Sequence, residues 1–191
     1  MLTHAHSPLV HRLLPLHNPL LRTLLQVTLG VGIIALLAQV RFELGPVPLT
    51  GQTLAVLLIG AAYGAGLAAL TLTSYLIVGG LGLGVFSGGA SGLAALSGTT
   101  AGYLFGFLLA ATVVGFLAER GWDRHFGLTA LAMLIGNLLI YVPGLLWLNQ
   151  FAPDTGTTLQ WGLLPFIPGD VIKLLVATAL LPTAWKILGR R

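Results

Sequence analysis

The 191-residue sequence is too poor in charge for a soluble globular domain, because only 7% of its residues are charged and 56% are hydrophobic, against roughly a quarter charged in ordinary soluble domains. Its net charge of +4 does not indicate nucleic-acid binding, since the nine basic residues are scattered among apolar runs and form no stripe for phosphates. Cysteine is absent, which excludes disulfides, thiolate nucleophiles and cysteine-ligated metals.

The chain is predicted to begin with a short cytoplasmic lead over residues 1–20, followed by a single membrane domain over residues 21–191. The lead is polar, is interrupted by prolines, and has neither the apolar stretch nor the small-residue cleavage site of a secretory signal. Its histidines have no fixed helical spacing and no partner carboxylates, so we expect a solvated tail that holds no metal ion. They are His4, His6, His11 and His17.

Apolar segments along the rest of the chain predict an all-α integral membrane protein. Four of them approach the 20 or so residues that a transmembrane helix needs, and they cover residues 21–40, 101–118, 128–148 and 171–188. A further segment, residues 53–81, is too long for one untilted helix, and Gly64-Ala65-Gly66 near its middle predicts a tight turn between two short spans. We therefore expect a bundle of six transmembrane helices.

The basic residues support six spans, because Lys and Arg favour the cytoplasmic ends of short loops. With six spans, one side of the membrane holds Arg12, Arg22, Arg120, Arg124, Lys186, Arg190 and Arg191, and the loops of the other side hold Arg41 beside Glu43. Five spans would place Arg120 and Arg124 outside. We therefore expect both termini in the cytoplasm and three extracellular loops, at residues 41–50, 82–97 and 149–169.

Two charges at the start of the last predicted helix, Asp170 and Lys173, are the leading site candidates. Their i, i+3 spacing places them on one helix face. A charge well inside the membrane costs roughly 2.5 to 3.5 kcal/mol on insertion scales, so such residues usually pair or line a polar cavity. A purely structural role is the alternative, because a carboxylate suits a helix N-terminus and the lysine would neutralise it. Their predicted position near the outer face, where a solute arrives, favours a binding site.

Amide side chains at two positions have both a structural and a ligand-binding interpretation. Gln52 follows Pro46-Val47-Pro48-Leu49-Thr50-Gly51 and introduces a helix, where its side chain suits a cap, an interhelical hydrogen bond or a ligand contact. Asn137 lies inside the fifth predicted span, and we expect it to make an interhelical hydrogen bond. Only Gln52 is retained as a site candidate.

A glycine- and serine-rich stretch over residues 85–103 combines backbone freedom with small hydroxyl groups. This composition indicates a loop that folds over a bound molecule. Gly98, Gly102 and Gly106 repeat every four residues, which favours close approach of two helices. Packing is therefore the first explanation for these three glycines.

Motifs for catalysis are weak. The sequence has no GxxxxGK[ST] segment for binding ATP. Gly89-Ala90-Ser91-Gly92 matches the GxSG of intramembrane serine proteases, but a serine nucleophile needs a base within hydrogen-bond reach. Beyond the lead the histidine available is His125, in a predicted cytoplasmic loop. We therefore expect a solute-capturing protein without enzymatic activity. The alternative is an intramembrane serine hydrolase that uses Ser91.

Taken together, the polar motifs resemble those of a known family, BioY, the biotin-binding S-components of energy-coupling factor (ECF) transporters. The resemblance follows family order from about residue 41 to residue 173. It is carried by Pro46-Val47-Pro48-Leu49-Thr50-Gly51-Gln52-Thr53, Gly84-Val85-Phe86-Ser87-Gly88-Gly89, Gly102-Tyr103-Leu104-Phe105-Gly106-Phe107, Ala118-Glu119-Arg120, Ile140-Tyr141-Val142-Pro143-Gly144 and Leu164-Pro165-Phe166-Ile167-Pro168-Gly169-Asp170-Val171-Ile172-Lys173.

The resemblance implies a six-helix subunit of the cell membrane that binds biotin near the outer face, without a cofactor. It also implies two kinds of partner, a transmembrane coupling subunit and two ABC-type ATPases, although some family members work without a dedicated partner. By the same motifs, Asp170 and Lys173 would contact the ligand, supported by Gln52, Ser87 and Tyr103. Tyr141 lies in a matching motif too, and both tyrosines also suit packing.

Biotin suits such residues, since its ureido group has two N–H donors and one carbonyl while its ring system and valeryl chain are largely apolar. Asp170 would accept a ureido N–H. Lys173 would bind either the ureido carbonyl or the carboxylate, and the sequence leaves both open.

Two segments depart from the family pattern. Gly98-Thr99-Thr100 stands where Gly-Pro-Thr is expected, which puts the backbone geometry of the loop in doubt. On the first helix, Thr28 and Gly32 replace the Ala-xxx-Ala pattern that S-components use to dock the coupling subunit. Docking is therefore less firmly predicted than ligand binding.

Overall fold

A computed structural model describes residues 8–10 and 17–188. Its helices are α1 (Pro19–Gln39), α2 (Gln52–Gly80), α3 (Gly92–Ser97), α4 (Ala101–Ala118), α5 (Phe126–Leu148), α6 (Thr155–Gly162) and α7 (Ile167–Leu188). Two short antiparallel strands, β1 (Arg41–Phe42) and β2 (Leu49–Thr50), pair Arg41 with Thr50. Single 3₁₀ turns cover Ser87–Gly89 and Trp122–Arg124. Within the described residues, α1, α2, α4, α5 and α7 are long and apolar enough to cross a membrane.

Helix α2 is folded back on itself at Gly64, so it supplies two spans. Gly64 has non-helical dihedral angles, φ 76° and ψ 170°, a region that is essentially restricted to glycine. The side-chain amide of Gln52 donates to the hydroxyl of Tyr75 at 2.7 Å, whereas 23 residues of straight helix would separate them by about 35 Å. The halves 52–63 and 65–80 are therefore antiparallel. The predicted turn is confirmed, and the bundle has six spans.

The turn at Gly64 is fixed by the end of α4. The carboxylate of Glu119 accepts a hydrogen bond from the backbone N–H of Ala65 at 2.9 Å, which caps the second half of α2 and suits the positive end of its dipole. A side chain at Gly64 would collide with this carboxylate. The turn thus needs both the dihedral freedom and the small size of glycine.

Helix α4 occupies the centre of the bundle, and small residues bring its neighbours close to it. A Cβ atom on Gly60 would lie 2.7 Å from the carbonyl oxygen of Ala111, and one on Gly106 would lie 2.8 Å from that of Ile140. Gly102 faces Pro143 in the same way. The packing role predicted for Gly102 and Gly106 is confirmed. Gly98 lies before α4 and instead uses its carbonyl, which accepts from the indole N–H of Trp147 at 2.9 Å.

Helix α1 lies at the periphery and buries only a narrow stripe. Its buried residues recur every four positions, at Gln26, Gly30, Ile34 and Ala38, and the leucines on its other faces are largely exposed. Aliphatic side chains exposed along a helix of this apolarity match the hydrocarbon of a bilayer. The exposed face of α1 is therefore available to lipid or to another transmembrane helix.

The bundle has two ends of different composition. The Gly64 end comprises the Gly64 turn, Glu119, the turn Trp122–Arg124 and the last turn of α7. The Lys173 end comprises the β-hairpin, α3, α6 and the first turns of α7. Basic residues segregate as predicted, with Arg120, Arg124 and Lys186 at the Gly64 end and Arg41, paired with Glu43 at 2.8 Å, at the other.

The boundaries of the spans differ from the predictions by a few residues. Helix α1 begins at Pro19, where the side chain of Asn18 caps it, and not at residue 21. Helix α7 begins at Ile167 and not at residue 171, which brings Asp170 and Lys173 into its first two turns. The predictions for His4, His6, His11, Arg12, Arg190 and Arg191 lie outside the described residues.

Candidate ligand-binding site

A cavity of about 230 Å³ opens at the Lys173 end, among α2, α4, α5 and α7. The segment that follows β1 and the loop between α2 and α4 form its rim. Its apolar walls are Val47, Phe86, Leu104, Phe107, Ile140 and Phe166. Its polar lining comprises Thr50, Gln52, Thr53, Ser87, Thr99, Thr100, Tyr103, Tyr141 and Lys173. Such a mixture of apolar walls and a few directed polar groups is typical of small-molecule sites.

Lys173 places an ammonium group in this largely apolar cavity. Its Nζ atom donates to the hydroxyl of Thr53 at 2.8 Å and lies 3.3 Å from a carboxylate oxygen of Asp170. The lysine side chain is 17% exposed. Because an ammonium group has three donors and two are used, one N–H remains for a ligand.

Asp170 lies behind this lysine. It is 7% exposed, it forms the ion pair with Lys173, and it accepts a hydrogen bond from the hydroxyl of Tyr141. Asp170 is not among the residues that line the cavity; it lies against a smaller groove between α5 and α7. The structure therefore gives its carboxylate two partners within the protein, both of which line the cavity.

Gln52 lines the cavity from the start of α2, and its amide is bonded on both sides. Its carbonyl oxygen accepts from the hydroxyl of Thr50 at 3.0 Å, and its NH₂ group donates to Tyr75. Tyr75 in turn donates to the carbonyl of Val85 at 3.0 Å. The predicted interhelical hydrogen bond is thus present, and it ties the cavity wall to the loop after α2.

Ser87 is positioned by the loop between α2 and α4. The ring of Phe86 packs edge to face on Tyr75, with centroids 5.2 Å apart, and its carbonyl accepts from the amide of Gln39 at 3.1 Å. The neighbouring Gly88 has a φ of 67°, which suits glycine. The hydroxyl oxygen of Ser87 is buried and has no hydrogen-bond partner among the residues that the structure describes. This hydroxyl is therefore available to a ligand.

Tyr103 forms the wall of the cavity near α6. Its hydroxyl donates to the carbonyl of Gly162 at 2.9 Å, and its ring meets that of Tyr141 edge to face, with centroids 6.3 Å apart. A Cβ atom on Gly144 would lie 2.5 Å from the Tyr103 ring. The ring is held on several sides, so its hydroxyl oxygen can accept a ligand N–H at a fixed position.

The short helix α6 places the Gly162 carbonyl for this contact. Asp154 caps α6 by accepting from the backbone N–H of Thr157 at 2.8 Å and from its hydroxyl at 2.9 Å. These hydrogen bonds favour the ionised carboxylate and lower the pKa of Asp154 below its usual value. A polar cap on the surface thus orders a segment that reaches the cavity.

Four of the five predicted site residues line one cavity, namely Gln52, Ser87, Tyr103 and Lys173, and the fifth, Asp170, stands directly behind it. The structure adds Thr53 and Tyr141 as direct partners of the charged pair. Thr53 stands next to Gln52 in a motif that the sequence singled out, but nothing local distinguishes its hydroxyl from others at helix starts. In the unusual segment 98–100, Thr99 donates to the carbonyl of Pro46 at 3.0 Å and so links two parts of the rim.

Comparison with known proteins identifies the family. The sequence matches the family model described as "BioY family" over residues 7–190. The chain belongs to the BioY family.

BioY relatives from distant bacteria cover most of the chain. The biotin transporter BioY of Thermotoga maritima is 35% identical over 82% of this chain and 92% of its own length. Biotin transporter BioY2 of Lactococcus lactis subsp. cremoris is 34% identical over 85% of this chain and 90% of its own. A crystal structure of the S-component for biotin from an ECF-type ABC transporter superposes with a TM-score of 0.77 at 25% identity, covering 90% of this chain and 94% of that one. The six-span bundle is therefore an S-component fold.

Membership of the BioY family, whose relatives are named transporters, also bears on the alternative of a hydrolase. Ser91 precedes α3 at the Lys173 end, whereas the two histidines of the described residues, His17 and His125, lie before α1 and α5 at the Gly64 end. The length of the bundle separates them from Ser91. No described histidine can act as its base, so the structure gives no support to a hydrolase.

Proposed function

We propose that this chain captures biotin in the cavity at the Lys173 end and serves as the substrate-binding subunit of an ECF-type transporter, without enzymatic activity. The observation that supports this most is the ammonium group of Lys173, which retains one unused N–H in a largely apolar cavity of a BioY family member. A buried cation with unused hydrogen-bonding capacity suits a ligand that brings an acceptor oxygen.

The cavity offers partners for each polar part of biotin. Lys173 supplies a donor for an oxygen acceptor, while the hydroxyl oxygens of Ser87 and Tyr141 can accept the ureido N–H groups. Phe86, Phe107 and Phe166 surround the thioether ring and the valeryl chain. Hydrogen bonds to charged groups contribute about 1.5 to 3 kcal/mol each. One such bond from Lys173, together with two neutral hydrogen bonds of about 0.5 to 1.5 kcal/mol each and apolar burial, accounts for tight binding.

The position of Asp170 changes the role proposed for it. Both of its partners, Lys173 and Tyr141, are residues that line the cavity. We assign Asp170 to holding these two groups in place, and we assign the ligand contact to Lys173.

The acceptor that Lys173 binds is either the ureido carbonyl or the carboxylate of biotin. The methyl ester of biotin separates these two arrangements, because it keeps the ureido group and lacks the charge. If Lys173 binds the carboxylate, the wild type loses most of its affinity for the ester. If it binds the ureido carbonyl, the ester and biotin bind similarly, and Lys173→Met weakens both.

The Lys173 end is assigned to the outer face of the cytoplasmic membrane, with both termini in the cytoplasm. The support is the accumulation of Arg120, Arg124 and Lys186 at the Gly64 end, as expected for a cytoplasmic side. Since the chain has no cysteine, single cysteines can test this. An impermeant thiol reagent added to intact cells should label Asn149→Cys and leave His125→Cys unlabelled; the reverse pattern contradicts the orientation.

The proposed partners are a transmembrane coupling subunit and two ABC-type ATPases. Thr28 and Gly32 lie on the exposed face of α1, and a Cβ atom on Gly32 would have no neighbour within 4 Å. Two small residues four apart favour close contact with another transmembrane helix. In Gly32→Leu, we therefore expect co-purification of the coupling subunit to fail while biotin binding persists.

Equilibrium binding of labelled biotin to the purified, detergent-solubilised protein tests the proposed function. The wild type should bind saturably, and Lys173→Met should lose at least tenfold in affinity, since a hydrogen bond to a charged group is worth about 1.5 to 3 kcal/mol. Lys186→Met is a matched control on the same helix, where the lysine lies over the ring of Phe126 at 5.2 Å. A folded wild type that binds no biotin contradicts the function, and equal losses in both variants contradict the site.

A further inference from the structure

A second cavity, of about 170 Å³, lies between α5 and α7 on the outside of the bundle. Leu134, Leu138 and Val171 line it, and each is about half exposed. Aliphatic side chains exposed on transmembrane helices contact lipid chains. We call this cavity the membrane groove, because it opens towards the bilayer and not towards the water at the Lys173 end.

Tyr141 lines both the ligand cavity and the membrane groove. Its hydroxyl donates to Asp170, so the side chain crosses from α5 to α7 and closes the gap between these helices. On the cavity side its ring meets Tyr103 edge to face. A single aromatic side chain, fixed at its ring and at its hydroxyl, thus separates the two spaces.

We propose that Tyr141, held by Asp170, is a partition that shuts the ligand cavity off from the membrane groove and thereby determines ligand specificity. With the partition closed, a ligand cannot extend from the cavity into the membrane groove. Biotin derivatives whose apolar tail would have to pass Tyr141 are therefore excluded, because the tail would occupy the groove behind it. This inference rests on the proposed binding of biotin and deepens it.

The chemical class of ligand that an open partition would admit follows from Asn137. This residue lies one helical turn from Tyr141, is 8% exposed and lines the groove. The interhelical hydrogen bond expected from the sequence is not present, since its side-chain amide bonds to none of the described residues. A buried amide without a partner is costly. A ligand with a carboxamide and an alkyl chain could form a hydrogen bond with the amide of Asn137, while its alkyl chain would contact the apolar side chains of the groove.

Two biotin amides measure the partition directly. The N-methyl and N-octyl amides differ only in the tail, so the ratio of their affinities cancels the effect of losing the carboxylate. In Tyr141→Ala, we expect the octyl-to-methyl ratio to rise at least tenfold over the wild type. Phe107→Ala is the matched control, because Phe107 lines the cavity but not the groove, and its ratio should not change.

Tyr141→Phe provides a second variant that keeps the ring and removes only the bond to Asp170. Its ratio should rise less than that of Tyr141→Ala, because the ring still fills the gap but is no longer anchored. An unchanged ratio in both Tyr141 variants, or an equal rise in the Phe107 control, overturns the proposal.

Thiol labelling tests the partition without biotin. The chain has no cysteine, and Thr100 lines the ligand cavity. In lipid nanodiscs, an N-dodecyl maleimide confined to the membrane should modify T100C slowly and T100C/Y141A at least tenfold faster. A water-soluble maleimide should modify both at similar rates.

The labelling result separates the two hypotheses. If the wild type binds no biotin but membrane labelling accelerates in T100C/Y141A, the proposed function fails and the partition stands. If biotin binds and membrane labelling is unchanged, the function stands and the partition fails.

Discussion

The two ends of the bundle use their polar side chains in opposite ways. At the Gly64 end, Glu119 caps the N–H of Ala65 and the indole of Trp185 donates to Asp123. The guanidinium of Arg124 lies over the Trp185 ring, 4.3 Å from its centroid. At the Lys173 end, the ammonium of Lys173 and the hydroxyl of Ser87 retain hydrogen-bonding capacity that faces a cavity.

This difference shows that the exposure of incompletely satisfied polar groups to one cavity, and not the number of charges, distinguishes the site. The Gly64 end carries more ionisable side chains than the ligand cavity does, yet the contacts described above tie helices and turns to one another. At the cavity, the same kinds of group are held in place but left incompletely satisfied. Since a buried polar group without a partner is unfavourable, the groups that face the cavity are suited to a ligand that completes their hydrogen bonding.

The largest effect should come from replacing one carboxylate at each end of the bundle with the corresponding amide. In Asp170→Asn, Lys173 loses its ion-pair partner, and breaking a buried ion pair costs about 3 to 5 kcal/mol. That cost falls on the stability of the fold. Because Lys173 and Tyr141 are also no longer held at the cavity, we expect biotin affinity to fall by about a hundredfold in equilibrium binding, the equivalent of about 2.8 kcal/mol. Glu119→Gln should leave affinity unchanged and lower only the unfolding temperature. If both variants bind like the wild type, the carboxylates do not differ in role.

Gly64 should affect stability and not binding. Gly64→Ala places a Cβ against Glu119 and forces a dihedral region that is essentially limited to glycine, at a cost of about 1 to 3 kcal/mol. Thermal unfolding in detergent should show a clear decrease, while the folded fraction binds biotin normally.

Gly66→Ala is the matched control for this prediction. Gly66 is exposed, and a Cβ there would have no neighbour within 4 Å, so alanine should be neutral or slightly stabilising because of its helix propensity. Equal unfolding temperatures for the two alanine variants would show that the turn tolerates a side chain.

Two buried tyrosines allow a smaller and more selective test. Tyr75→Phe removes the contacts to Gln52 and Val85, and Tyr63→Phe removes the bond to the carbonyl of Gln26, 2.8 Å long. Each change should cost about 0.5 to 1.5 kcal/mol of stability per lost bond. Only Tyr75→Phe should also weaken biotin binding severalfold, because Gln52 and the loop after α2 line the cavity. If Tyr63→Phe also lost affinity for biotin, hydrogen bonds at the two ends of the bundle would not differ in their effect on binding.

The smallest effect is expected from two serines of the same loop region. Ser87→Ala removes an unpartnered hydroxyl in the cavity and should lower biotin affinity by about threefold to tenfold, the equivalent of one neutral hydrogen bond. Ser91→Ala should bind biotin like the wild type. A fluorophosphonate should label neither protein, and covalent labelling that Ser91→Ala abolishes would reinstate the hydrolase.

The spans could be predicted because they depend on local composition. Runs of apolar residues fixed four of them, and the glycines at positions 64 and 66 marked the turn that divides α2. The i, i+3 spacing likewise placed Asp170 and Lys173 on one helix face, where they form an ion pair at 3.3 Å. Each of these features needs information from only a few neighbouring positions.

The arrangement around the charged pair could not be predicted from local composition. The hydroxyl of Tyr141 donates to the carboxylate of Asp170, 29 residues away in the sequence, and holds it behind the cavity wall. This contact depends on how α5 and α7 pack against each other. The sequence assigned this tyrosine no role beyond a matching motif or packing.

The short helices α3 and α6 were missed for a related reason. Both lie in segments predicted as extracellular loops, and helices of six and eight residues are marginal on their own. Distant contacts anchor the ends of these segments, between Trp147 and Gly98 and between Tyr103 and Gly162. Their helical state thus follows from tertiary packing.

The fold of α2 also determines how far a captured molecule still has to travel. The half helix 52–63 is about 18 Å long at 1.5 Å per residue, whereas the hydrocarbon of a bilayer is about 30 Å thick. With the Gly64 turn at one membrane surface, Gln52 and the floor of the cavity lie roughly 12 Å below the other. Capture therefore already moves a ligand more than a third of the way through the membrane.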